Sequence, residues 1–341
     1  MTNRQRLTTG AAVVLAGALV LTGCNRGSGA GDGTPVGFSA GFLDSPFNSG
    51  LVKAVEQQAN TGGSGLSMLP ATDAQSDPGK QITDVNTLLS QGIQGLVMFP
   101  TDSNAIIPAI EAANAKDVPV ITVDIAGNGG DIYMNIRADN IAMGRDVCRQ
   151  IGALTNGTGR VLEIHGDLGT SSGFDRNKGF NDCMAAEFPG IQIVARDAKW
   201  KTDQAVDVAQ TTLSTQPFDA VFLASDSVFY NGVKNVMADM GKLHPVGAPG
   251  HIPLVTIDGT KEALQGVREG FVDAVVSQPV DLYGKYAVSY LKDALAGKEY
   301  QPGPTEHDSE IVEYEGNLAD MLPAPVVTKV NVDENTLWGN Q

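Results

Sequence analysis

Histidine and cysteine are scarce in this chain, four and three among 341 residues, and none stands with carboxylates at metal-ligand spacing. No metal and no other cofactor is therefore expected. Basic residues are few as well: 23 Lys and Arg face 39 Asp and Glu, a formal charge of −16. Without a basic stripe to follow phosphates, nucleic acid is excluded as a partner. Past the first two dozen residues, no apolar run approaches the ~20 residues of a membrane helix. The body of the chain should be water-soluble.

What is present begins at the N-terminus. Arg4 and Arg6 form a basic flank, residues 11–21 an apolar stretch, and Thr22 and Gly23 a small-residue cleavage site directly before Cys24. This order resembles the bacterial lipobox, which implies removal of a 1–23 signal peptide and lipidation of Cys24. The two or three acyl chains of a lipoprotein give a stable anchor where one chain would not. The protein is then expected on the outer face of the cytoplasmic membrane, with Gly- and Ser-rich residues 24–34 as a tether. Cys148 and Cys183 remain, an even number in an oxidising compartment. Spacing leaves both a disulfide and two buried thiols open.

Removing the 23 leader residues from 341 leaves 318, which suits two domains. Apolar runs and helical periodicities alternate. Strands are expected over 36–40, 66–69, 95–99 and 118–123, separated by helices over 47–59, 80–90 and 105–116. After a Gly-rich break at 127–131 the alternation restarts. Helices over 141–154, 173–187, 203–213, 230–240 and 262–269 interleave with strands over 161–164, 191–195, 220–223, 254–257 and 274–276. Repeated β-α-β units predict an α/β fold of two Rossmann-like parallel-sheet lobes.

Open parallel sheets bind ligands beyond the carboxyl ends of their strands. Those ends carry Asp44, Ser45, Phe47, Asp124, Asp167, Trp200, Ser225, Asp226, Asp258 and Gln278. A carboxylate accepts two hydroxyl hydrogen bonds at once, and an aromatic face covers the C–H side of a sugar. Each acid alone reads more readily as a helix cap. The full ring of acids, amides and aromatics points to a polyhydroxylated ligand.

Several segments carry a resemblance: 42–47, 91–124 with Pro100, Thr101, Asp102 and Ser103, 169–180, 218–226, and 255–278 with its Ile257, Asp258, Gly259 turn. Together they resemble the ribose-type family of sugar-binding proteins that serve ABC importers, over nearly all of 36–296. The resemblance implies the type I periplasmic binding protein fold, two lobes joined by a three-segment hinge near Ala138, near Gln278 and in the C-terminal segment. The lobes would be 35–138 plus 279–310, and 139–278 plus 311–341. It implies ligand contacts by Ser45, Phe47, Asn48, Asp124, Arg176, Trp200, Asp258 and Gln278. A monomer is expected, with an ABC permease and its ATPase as partners.

The chain also departs from the ribose pattern. Ile125 stands where that family has an arginine, Ser225 replaces an asparagine, Ile257 and Asn48 each replace a phenylalanine, and Asp167 adds an acceptor. A buried polar group left unpaired by the wrong ligand costs about 1–3 kcal/mol, so these exchanges should change the sugar accepted. A pentose, pentitol or tetritol is expected. The alternatives are a nucleoside or signalling-furanose receptor, and a sensor acting through a membrane signalling protein.

Residues 169–173 also spell Gly-x-Ser-x-Gly, the pattern of a hydrolase nucleophile elbow centred on Ser171. Asp167, Leu168 and Gly169 separate the strand from Ser171, whereas an elbow places its serine on the sharp turn that leaves the strand. A binding protein without catalysis is the preferred reading.

Overall fold

A computed structural model of the chain describes residues 1–2, 33–61 and 63–341. The leader from residue 3 onward, and Cys24, lie outside the described residues. From Thr34 the first half alternates strands and helices apart from the consecutive strands β2–β3 and β5–β6: β1 (Thr34–Ala40), α1 (Pro46–Ala59), β2 (Leu66–Met68), β3 (Thr72–Asp73), α2 (Pro78–Ser90), β4 (Gly95–Phe99), α3 (Ile107–Asn114), β5 (Val120–Val123) and β6 (Met134–Ala138). Local chemistry starts the helices. Ser45 and Asp77 accept backbone N–H groups at the first turns of α1 and α2, and a proline follows each cap.

The second half repeats the scheme with α4 (Asn140–Leu154), β7 (Thr158–His165), α5 (Ser171–Glu187), β8 (Gly190–Asp197), α6 (Thr202–Thr215), β9 (Ala220–Leu223), α7 (Asp226–Asp239), β10 (Leu254–Asp258), α8 (Lys261–Glu269) and β11 (Ala274–Ser277). The chain then adds α9 (Val280–Leu295), β12 (Gly303–Pro304), β13 (Glu310–Tyr314), β14 (Asn317–Leu322) and β15 (Val326–Val327), and ends in a 3-10 turn, Trp338–Asn340.

Two sheets result. The first runs β12-β13-β14-β6-β5-β4-β1-β2 with β3 also on β1, and the second β15-β11-β10-β9-β7-β8. All pairings from β1 through β6 and from β7 through β11 are parallel. β4 and β5 are buried throughout, as strands covered by helices on both faces must be. The two-lobed type I periplasmic binding protein fold is thus present. Strand order reverses beside β1 in one lobe and beside β7 in the other, which opens a crevice at the carboxyl ends.

Three connections cross between the lobes. The first joins β6 to α4 at Asp139, and the second joins β11 to α9 through Gln278 and Pro279. α9 returns to the first lobe, where Gly284 lets it approach α1: an added Cβ would meet the Ala54 backbone at 2.6 Å. The third crossing corrects the expected boundary at residue 310. Residues 310–322 form a hairpin in the first sheet, with β14 parallel to β6 in the register Ala319 to Asn135. Asn135 Nδ2 donates to Leu318 O at 3.0 Å, and buried Asp320 accepts the Tyr290 hydroxyl of α9 at 2.9 Å. The chain changes lobes only at 323–325, where Pro325 O accepts the Ser277 N–H at 2.9 Å.

α4 and α5 pack at a glycine-mediated crossing. A Cβ on Gly144 would lie 2.2 Å from Arg176 O, and one on Gly179 would lie 2.1 Å from Ile141 O. The same helix pair carries the Cys148–Cys183 disulfide, Cα atoms 6.2 Å apart. This seam fixes the height at which α5 presents Arg176 to the crevice.

Candidate functional site in the interlobe cleft

The crevice is closed. Phe47 N–H donates to Ser227 Oγ at 3.0 Å, Ser171 N–H to Ser103 Oγ at 2.9 Å, and Ala126 N–H to Ser171 Oγ at 2.8 Å. Each bond joins one lobe to the other. Between them lies a small cavity of about 30 Å³. That is far below the roughly 300–1,000 Å³ of ligand pockets, so the closed cleft leaves little free space.

The first lobe contributes Ser45, Phe47 and Asn48 from the β1–α1 turn and Asp124 from the end of β5. Asp124 holds a left-handed backbone, φ +61. Its Oδ1 and the Nδ2 of Asn48 are buried without a hydrogen-bond partner. Burial, partly offset by the neighbouring Arg176 charge, pushes the Asp124 carboxyl up to about 6. One lobe therefore presents an acceptor and a donor, both desolvated and both unspent.

The second lobe and the hinge supply the opposite wall: Arg176, Trp200, Ser225, Asp258 and Gln278. Arg176 Nε donates to Asn140 Oδ1 at 2.7 Å and Nη1 to Ala224 O at 2.7 Å. That brace leaves its guanidinium between two acids, 3.4 Å from Asp258 and 3.8 Å from Asp124. Asp258 accepts from Gln278 Nε2 at 2.8 Å and from the Ser225 hydroxyl. Its carboxyl is raised from the ordinary value, burial outweighing the attraction of Arg176. Beneath it, Asp226 accepts the N–H groups of Gly259 and Thr260, and burial together with the Asp258 charge raises it as well.

Trp200 is oriented by its own polar atom. Its Nε1 donates to Thr170 Oγ1 at 3.0 Å, Phe229 stacks on the ring at 6.0 Å, and the Arg176 guanidinium lies 5.7 Å from it. Gly166 has to be glycine here, since a Cβ would fall 2.1 Å from the indole. With Phe42, Phe47, Phe99 and Ile125 on the facing wall, the cavity is apolar on its flanks and polar at its base.

Of the residues expected at the site, Ser45, Phe47, Asn48, Asp124, Arg176, Trp200, Ser225, Asp258 and Gln278 line this cavity. Asp44, Asp167 and Asp226 are not in its wall, and Asp167 has a local role. Its carboxylate accepts the Gly169 N–H at 2.9 Å and closes the turn before α5. Asp44 is exposed. Ser171 begins α5 behind the Thr170 cap, its hydroxyl engaged with Ala126 across the cleft. Among the described residues no histidine is hydrogen-bonded to it, and His165 instead faces Gly166 O at 2.9 Å. The brace Asn140 escaped sequence reasoning. Its only local signal is a second cap-type residue directly after Asp139 at a helix start.

A family model described as a periplasmic binding protein domain matches residues 36–299. The chain belongs to that family. Its relatives include the ribose import binding protein of Bacillus subtilis (strain 168), 30% identical over 269 residues, 78% of this chain and 83% of that protein. The xylitol-binding protein of Mycolicibacterium smegmatis is 27% identical, over 76% of this chain and 68% of its own. Among solved structures, an ABC transporter solute-binding protein from Mycobacterium smegmatis with bound glycerol matches with a TM-score of 0.76 at 25% identity, over 89% of this chain and 99% of that one. All fifteen residues lining the cavity fall inside the stretch that matches the periplasmic binding protein domain. The segment from β13 to the C-terminus lies beyond it.

Proposed function

We propose that this protein captures a small neutral sugar or polyol, a pentose, pentitol or tetritol, in the interlobe cleft and delivers it to an ABC importer. The observation that carries the reading is that polar side chains of both lobes converge on one cavity in the closed cleft. Asp124 and Asn48 line the cavity from one lobe, their Oδ1 and Nδ2 without a hydrogen-bond partner among the described residues, and Arg176, Asp258 and Gln278 line it from the second lobe and the hinge. A polyol engages both sets only when the lobes are closed, so binding shifts the open–closed equilibrium toward closure. Two carboxylates against one guanidinium disfavour sugar phosphates and sugar acids. The small cavity disfavours disaccharides. The bound or transported solutes of the relatives, ribose, xylitol and glycerol, fall in the same chemical class.

Export and lipidation at Cys24 complete the proposal, holding the receptor near its permease at raised effective concentration. Metabolic labelling with an alkyne fatty acid, compared with a Cys24→Ala variant, tests the anchor. A thermal-shift screen over pentoses, polyols, hexoses and nucleosides tests the ligand class, because a solute that binds only the folded state raises its apparent stability. Stabilisation by nucleosides alone would reject the sugar reading.

A further inference from the structure

We propose that Trp338, in the C-terminal turn, is a positioning residue for the cleft carboxylate Asp258 and a clasp between the lobes. This rests on the solute-binding reading of the cleft for its effect on affinity, though not for its effect on closure. Trp338 lies beyond the family-matched stretch and outside the cavity wall.

Asp258 stands at φ +119, a backbone conformation that side chains rarely adopt. The peptide that follows is held from two sides. Asp258 O accepts the Gln278 N–H at 2.9 Å and the Trp338 Nε1–H at 2.7 Å. Rotating that carbonyl away would turn the Asp258 side chain off Ser225 and Gln278, so the indole donor helps select the conformation that aims the carboxylate into the cleft.

The indole moves with the second lobe. Arg268 of α8 binds Asp333 at 2.8 Å and Asn340 Oδ1 at 2.6 Å, while Asn340 Nδ2 donates to Val332 O and Glu334 O. Gly339 seats the turn on Gly259, where a Cβ would lie 2.3 Å from the carbonyl oxygen. Yet the ring of Trp338 packs edge-on against Phe47 of the first lobe, centroids 6.2 Å apart at 75°. A Cβ on Gly50 of α1 would sit 3.8 Å from the same ring. Opening the cleft must separate Trp338 from Phe47, so one side chain reports closure to the Asp258 turn.

The test compares wild type with Trp338→Phe, which keeps an aromatic edge and loses the donor, and with Trp338→Ala, which loses both. Affinity for ribose, xylitol and glycerol is measured by calorimetry. Lobe separation is measured without ligand, using spin labels at exposed Asn86 and Gln210. Trp338→Phe should weaken binding about two- to tenfold, the range of one net hydrogen bond, with the ligand-free melting temperature almost unchanged. Trp338→Ala should weaken it more than tenfold and shift the ligand-free lobes toward larger separations. A lowered melting temperature with wild-type affinity and wild-type lobe distances would overturn the proposal. If wild type binds none of the three probes, the sugar reading fails and lobe distances alone decide, an unchanged distribution in Trp338→Ala overturning the clasp.

Discussion

The guanidinium of Arg137 in the first lobe and the carboxylate of Asp175 in the second meet at 2.6 Å, both nearly sealed from solvent. The Tyr314 hydroxyl donates to the same carboxylate at 3.0 Å, and its ring lies under the Arg137 guanidinium at 4.4 Å. Asp175 directly precedes Arg176 on α5, so the pair adjoins the cleft it closes. Removing one partner of a buried pair typically costs about 3–5 kcal/mol. Here the stranded charge regains water when the lobes part. Asp175→Asn should therefore favour the open form, weakening sugar binding about tenfold or more, with only a small fall in melting temperature. Calorimetry with thermal unfolding separates this from simple destabilisation, which would lower the melting temperature and leave affinity near wild type.

Asp124, Arg176 and Asp258 form the polar base of the cavity, and each should be individually necessary. A hydrogen bond to a charged group contributes about 1.5–3 kcal/mol. Asp124→Ala, Arg176→Ala and Asp258→Ala should each weaken binding by roughly ten- to a hundredfold while circular dichroism stays that of folded lobes. Wild-type affinity in all three would place the ligand elsewhere.

The raised Asp124 carboxyl predicts a pH dependence. Its value of about 6 in the folded chain lies above the ordinary 3.8. Its contribution to ligand-free stability is therefore full below that ordinary value and is lost as pH rises through about 6. Ligand hydroxyls donate to the ionised form and reverse the preference. Affinity should then rise from about pH 5 to about pH 7, with protons released on binding near the lower end. Calorimetry in two buffers of different ionisation enthalpy measures that release. A flat affinity with no release would show that Asp124 does not accept from the ligand.

The legible part of this molecule was the part written in local periodicity. The apolar run of β4 and the capped, amphipathic α1 and α2 announce themselves, and the alternation places Asp124 and Asp258 at strand ends. β6 was missed because Asn135 and Arg137 interrupt its apolar pattern. Both are buried only because Thr122, Leu318 O and Asp175 satisfy them from distant elements. The β13–β14 hairpin was assigned to the wrong lobe for a similar reason, since the edge of β6 decides its pairing. Asp167 looked like a ligand acid and is a turn closer. No spacing rule separates the two, because each puts a carboxylate directly after a strand.

The Cys148–Cys183 bond closes a loop of 35 residues within the second lobe. The chain-entropy model gives about 3–4 kcal/mol for such a loop. The Cys148→Ala, Cys183→Ala double variant should lose stability of that order in denaturant unfolding. Its sugar affinity should stay within about twofold, since neither residue lines the cavity. A comparable loss of affinity would mean that the bond, and not the Gly144 crossing, sets the position of Arg176.

The most direct test of the cleft as a sugar site is calorimetric titration of the folded protein with ribose, xylitol, a tetritol and ribose 5-phosphate, repeated in Asp124→Ala. The expected result is saturable one-to-one binding of at least one neutral solute, none of the phosphate, and loss of binding in the variant. Binding that survives Asp124→Ala, or a preference for the phosphate, would contradict it.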